Sequence, residues 1–390
     1  MTVNRIFSLL KVKDEDRSLL IRTLFIFLCS GAMSTLTGAV LPDMQQSYAL
    51  SYEFRGFLLS VQQAGNLSAV FLAGFLPYIL GRKRCTVLLS SGIVLGIILM
   101  VSTGNPLLLV IAFLVSGMGR GTLSNTTNVV VTEVSGNSGA GLNMLHASFA
   151  VGAFISPFLA VYLGSAGWRT ALLLTGGLML LGIILIATST LKNGREERTK
   201  GGKVPFMKDA GFWLVTFILF FYLCAEASLM GWMVTYFQES GVMSASLSKT
   251  MQSLLWIMIL LGRLLCAMLT PRTENRMTIV VFLSLLFTAA FAVMMSSVKL
   301  FIVIPALLLT GFSMSGIYPT TLSSMDSRFN GSTVATGVCI GTATLGGILW
   351  PNVVGFTASG HGMKTALMTI LLPLAVMDVL VLAKRLKKMN

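Results

Sequence analysis

Apolar runs recur along this chain at lengths that suit a hydrocarbon slab rather than a protein core. A membrane core of ~30 Å takes about 20 apolar residues per helix. Twelve stretches reach that length: 19–41, 55–80, 85–104, 106–131, 140–163, 169–191, 211–237, 247–269, 277–298, 300–324, 332–358 and 363–383. The pattern predicts an all-α membrane protein with twelve transmembrane helices. The longest polar break, KNGREERTKGGKVPFMKDA at 192–210, falls mid-chain and reads as a flexible, basic cytoplasmic linker. The expected organisation is therefore a six-helix bundle with a cytoplasmic tail at 1–191, the linker, and a second six-helix bundle at 211–390.

An internal repeat points the same way. GMGRGTLSNTTN at 117–128, shifted by 194, falls on GFSMSGIYPTTL at 311–322. Pro157 precedes GWRTA at 167–171 as Pro351 precedes GMKTA at 362–366. Parallel repeats of this kind mark one class of secondary transporter fold. Basic residues then orient the spans. With the N-terminus in the cytoplasm, Arg55, Arg169, Lys249, Lys299 and Lys364 lie outside and Arg120 and Arg263 within spans. The rest of the 28 Lys and Arg lie inside, so both termini are placed in the cytoplasm of a cell inner membrane. The opening MTVNRIFSLLKVKDEDRSLL is charged and lacks a small-residue cleavage site, and it reads as a cytoplasmic tail.

Composition narrows the class. The chain is 55% hydrophobic and 11% charged, with mean hydropathy +0.84, where soluble chains carry ~25% charged residues. The net charge of +14 sits in short segments between apolar runs, with no basic face and no interleaved aromatics, which excludes nucleic acid as a partner. Five cysteines are scattered singly and give no metal-ligand spacing. The chain has no GxSxG, HExxH or Walker motif, and GMGRG lies inside an apolar span with no preceding strand. No enzyme activity, cofactor or metal is expected, and the predicted partners are the bilayer, a small solute and protons, with the protein a monomer.

Polarity differs among spans. Spans three, six, nine and twelve are nearly aliphatic, whereas one, four, seven and ten carry Ser34, Thr35, Asn125, Asn128, Tyr222, Glu226 and Tyr318. Polar groups are costly in lipid unless they face protein or water, so the first helix of each triplet is expected to line a cavity and the third to face lipid. Glu226, about 15 residues into span seven, is the foremost candidate: an intramembrane carboxylate is a functional site by default, here for proton coupling, against the plainer reading of a structural ion-pair partner. Arg120 keeps its charge and needs a carboxylate, water or an anionic substrate. Arg263, near the inner end of span eight, reads as snorkelling or pairing at a gate, and Asp378 as interfacial. Asn143 and His146 share a helix face and either fix helix contacts or touch substrate. Trp232, Trp256, Gln252 and Asn352 suit a polyol, with aromatic faces against sugar carbons and amides on hydroxyls, although ordinary packing also explains them. Glu133 and Asp326 end spans four and ten beside basic loops. They are expected to pair with Arg82, Lys83 and Arg84, and with Arg272 and Arg276, as cytoplasmic gates. Gly92–Gly96, Gly117–Gly121 and Gly337–Gly341 have the spacing that permits close helix approach.

These residues resemble the major facilitator superfamily. GFLPYILGRKR matches the family's loop motif at Gly74, Gly81, Arg82 and Lys83, with Tyr78 and Ile79 standing where the family has aspartate and arginine. Within the family the chain looks like the fucose–galactose–glucose:proton symporter group, through GRGTLSNTTN, LNMLHASFAVGAFISP, YLCAEASLMGW, LLGRLL and GIYPTTL. That group carries a carboxylate four residues before the asparagine matching Asn128; here the position is Ser124, which leaves Glu226 as the main coupling candidate. The resemblance implies proton-coupled uptake of a sugar or sugar derivative, with residues 1–191 rocking against 211–390 around a midplane site. Efflux of amphipathic drug-like compounds and a non-transporting membrane sensor stay open as alternatives.

Overall fold

The computed structural model describes residues 7, 10, 12–73, 76–136, 138–191, 206–269, 276–325 and 333–387. Among the described residues the secondary structure is helical throughout. The helices are α1 (Arg17–Tyr48), α2 (Tyr52–Ala73, followed by a short helix Leu76–Leu80), α3 (Arg82–Ser102), α4 (Pro106–Val134), α5 (Ser138–Leu163), α6 (Trp168–Ala187), α7 (Ala210–Glu239), α8 (Ala245–Leu269), α9 (Arg276–Ser296), α10 (Leu300–Ser323), α11 (Thr333–Met368) and α12 (Leu371–Lys387). Ten stretches among the described residues are helices long and apolar enough to cross a membrane. The number differs from the twelve predicted spans for two local reasons. Polar residues Arg55, Gln62, Gln63 and Asn66 thin out the hydropathy of α2. The last two spans run together from Gly337 to Leu386, although Gly362, at φ 78°, breaks the helical path between them.

Helix ends are set by local chemistry. The Asn105 side chain accepts from the Leu107 and Leu108 amides at 3.0 and 3.3 Å, with Pro106 at the first helical position of α4. Asp209 accepts from the Phe212 amide at 2.8 Å and starts α7. Inside the spans, hydroxyls bond back one turn, as in Thr23 to the Leu19 carbonyl (2.7 Å) and Thr310 to the Ala306 carbonyl (2.8 Å), so they enter lipid already satisfied.

The chain divides into two compact units, Met1–Met44 with Val61–Arg198, and Gln45–Ser60 with Thr199–Asn390. In the first, α3 packs on α4 and α6; in the second, α9 packs on α10 and α12. Glycine contacts repeat the correspondence. A side chain at Gly117 would strike the Gln62 backbone of α2, and one at Gly311 the Leu255 carbonyl of α8. Likewise Gly152 abuts the Leu28 carbonyl of α1, and Gly346 the Phe220 carbonyl of α7. Both pairs are 194 residues apart, the offset of the sequence repeat. Gly92 and Gly96 approach the α4 backbone as their spacing suggests, whereas Gly337 has open space beside it. The third helix of each triplet leaves apolar surface outward, for example Leu174 and Leu178 on α6 and Phe282 and Leu285 on α9.

Candidate functional site

In the second unit, α7 supplies Tyr222 and Glu226 at i and i+4, hence on one face. The Tyr222 hydroxyl donates to the Met314 carbonyl of α10 at 2.9 Å. Its ring lies 6.3 Å, centroid to centroid, from that of Tyr318. Glu226 lies one turn beyond Tyr222. Arg263 on α8, which the sequence reads as snorkelling or pairing at a gate, lies within electrostatic range of Glu226. Glu226, Arg263 and Tyr318 all keep partial exposure while lying inside a helical bundle. A partly accessible carboxylate beside a phenol and within range of a guanidinium can exchange a proton: the guanidinium favours its charged form and burial its neutral form.

Other predicted residues of this unit lie elsewhere. Trp232 is ten residues beyond Tyr222, about 15 Å along α7, and is fully buried. Its indole N–H donates to the Pro351 carbonyl at 3.3 Å. The amide nitrogen of Asn352 donates to the Ser60 hydroxyl and, at 3.1 Å, to the Ile348 carbonyl. Gln252 is buried and donates to the Met230 carbonyl at 3.4 Å, while its amide oxygen has no partner among the described residues. Trp256 packs on the core of this unit. Asp378 is not interfacial: it is buried and accepts from Thr288 at 2.7 Å, because α12 presents it to α9.

Arg55, placed from sequence on the outer side of the membrane, is fully buried in protein. It donates to Gln45 and Thr235, and its guanidinium stacks 4.6 Å from the Trp232 ring centroid. No local pattern carries this signal, since Thr235 is 180 residues distant.

In the first unit, Arg120, Ser124, Asn125 and Asn128 of α4 all retain partial exposure, and the Asn128 amide oxygen has no partner among the described residues. His146 is exposed and sets its ring edge-on to Phe27 at 5.7 Å. The side chain of Asn143 lies outside the described residues. The predicted gate residues divide similarly. Arg82 and Glu133 meet at 2.6 Å, Lys83 donates to the Ser189 carbonyl at 2.8 Å, and Arg84 is exposed. Arg276, 194 residues after Arg82, donates to the Ser323 carbonyl at 3.3 Å. Arg272 and Asp326 lie outside the described residues. An open surface groove of about 300 Å³ between α9 and α10 is lined by apolar groups such as Leu286, Phe301 and Pro305, and includes none of the predicted residues.

The family model of the Major Facilitator Superfamily matches residues 23–351. An uncharacterized MFS-type transporter of Yersinia pestis is 25% identical over 249 residues, which is 63% of this chain and 64% of that protein. The chain spans less than two thirds of the length of the curated relatives it matches. Among solved structures, the fucose:proton symporter of E. coli is 18% identical, with a TM-score of 0.64 over 95% of this chain and 99% of that one. A nucleoside transporter is 11% identical, with a TM-score of 0.79 over 95% and 100%. At these identities the likeness is one of fold.

Proposed function

The chain belongs to the Major Facilitator Superfamily, and from that premise we propose that it is a proton-coupled secondary transporter. It takes up a small hydroxylated solute, a sugar or sugar derivative, by alternating access. The observation that carries this reading is Glu226, set inside the helical bundle one turn from Tyr222 and still partly exposed. An ionisable carboxylate inside the helical bundle is where a proton binds in such a chain, with burial favouring its neutral form and the guanidinium its charged one. A fold shared with a fucose:proton symporter and a nucleoside transporter supports a hydroxyl-bearing solute. Uptake of labelled sugars, sugar acids and amphipathic drugs into proteoliposomes, with and without an imposed pH gradient, tests it. Accumulation of drugs alone, or of nothing on the panel, rejects it.

The location goes with the function: an inner-membrane protein with both termini and the linker in the cytoplasm. Reporter tags at residue 1, within 195–205 and after residue 390 should all read cytoplasmic. A periplasmic reading from the linker removes the six-plus-six arrangement.

Arg82 and Glu133 act here as a cytoplasmic gate pair. Glu133 is 52% exposed, so solvent screens the pair and its worth is about 0.2–1 kcal/mol. Glu133→Gln should therefore shift the balance of conformers, read by accessibility of single cysteines, and leave substrate affinity within a few fold. Loss of all binding in a folded Glu133→Gln protein assigns the residue to the substrate site instead.

A further inference from the structure

We propose that the solute is an anion, a polyhydroxylated carboxylate of the hexuronate type, whose carboxylate is held by Arg120. The inference rests on the transporter reading above and deepens it. Arg120 is the middle residue of the 29 in α4, about 21 Å from either end of the helix. Its side chain is nonetheless partly accessible. A guanidinium does not shed its proton, and an uncompensated charge at this depth costs several kcal/mol.

Two described carboxylates of this unit are held in ion pairs. Glu133 is on Arg82 at 2.6 Å and Asp14 on Arg17 at 2.7 Å; Asp43 is near the far end of α1. Among the described residues Arg120 has neither an ion-pair nor a hydrogen-bond partner. The contrast is with Arg55, held by Gln45 and Thr235. Position i+4, where a carboxylate would pair, is Ser124.

Arg120, Ser124 and Asn128 recur at i, i+4 and i+8 and form one stripe along α4. The orphaned amide oxygen of Asn128 requires a donor. The stripe therefore asks for a negative group at one end and O–H donors at the other. A halide meets the first demand and not the second. A neutral sugar meets the second and leaves the guanidinium bare. A sugar acid meets both, with the planar fork of the arginine matched to a carboxylate.

The test uses the purified full chain in nanodiscs, with calorimetric titration of glucuronate, its neutral isostere glucuronamide, glucose and glucose 6-phosphate. Glucuronate should bind at least ~30-fold more tightly than glucuronamide, the cost of leaving a buried charge unpaired. Arg120→Gln should erase that preference and Arg120→Lys should retain part of it. The selectivity of the wild-type protein decides the question even where a variant fails to fold. Equal binding of glucuronate and glucuronamide, or preference for glucose, overturns the inference and leaves the sugar-transporter reading standing. Preference for the phosphate overturns the carboxylate assignment. An unchanged preference in folded Arg120→Gln removes Arg120 from the role, and failure of all four probes to bind counts against both readings.

Discussion

Proteoliposomes carrying Glu226→Gln should bring substrate to equal concentration on both sides and no further, whatever pH gradient is imposed. One pH unit stores ~1.4 kcal/mol per proton, so a one-to-one symporter can concentrate its solute about tenfold with it. The glutamine keeps the size and polarity of the glutamate, but it has no proton to load or release. Exchange of labelled for unlabelled substrate without a gradient should persist at a measurable rate, because that cycle needs the conformational change and not the proton. Tenfold accumulation by the variant would reject Glu226 as the coupling residue. Loss of both accumulation and exchange, in protein that elutes as a folded species, would give Glu226 a substrate or structural role, with Arg263 the group left bare.

The second large effect is on stability. Gly152→Val and Gly346→Val should each cost ~1–3 kcal/mol or prevent folding, read as a drop in melting temperature of the detergent-purified protein. In both cases the new Cβ would fall on a backbone carbonyl, that of Leu28 or of Phe220. A carbonyl already bound into its own helix cannot swing aside as a side-chain end does. Helices in lipid gain little from apolar contact and much from close backbone approach, so the loss is not recovered by repacking. Gly337→Ala is the control: among the described residues nothing stands beside that glycine, and the change should stay within about 0.5 kcal/mol. Equal melting of all three variants would refute the paired helix contacts.

Hydropathy makes the helices legible because each must satisfy its own backbone in lipid; span boundaries and helix ends differ by a few residues. Small-residue spacing exposes the contacts at Gly117, Gly92 and Gly96, since close packing forbids larger side chains there. At Gly337 the spacing has no neighbour among the described residues. The polar constellation is harder to read. Tyr222 and Glu226 are visible together because one helix turn separates them, but Arg263 joins them only through the packing of α8. Trp232 and Asn352 have the composition of sugar ligands, yet their donors are taken by Pro351, Ser60 and Ile348. Asp378 reads as interfacial from the basic residues that follow it, and turns inward because α12 needs a partner for its carboxylate on α9. Such assignments depend on which helix lies across the way, and no single-helix pattern contains that.

The hairpin tip 45–60 has a consequence for biosynthesis. Arg55 and Ser60 emerge from the ribosome long before their partners Thr235 and Asn352, which lie 180 and 292 residues downstream. At about 5–20 residues per second, Arg55 waits roughly 10–35 s for Thr235, and Ser60 longer for Asn352. Until then the tip is an inserted segment holding an arginine with no final home, and the nascent chain is vulnerable to membrane quality control over that interval.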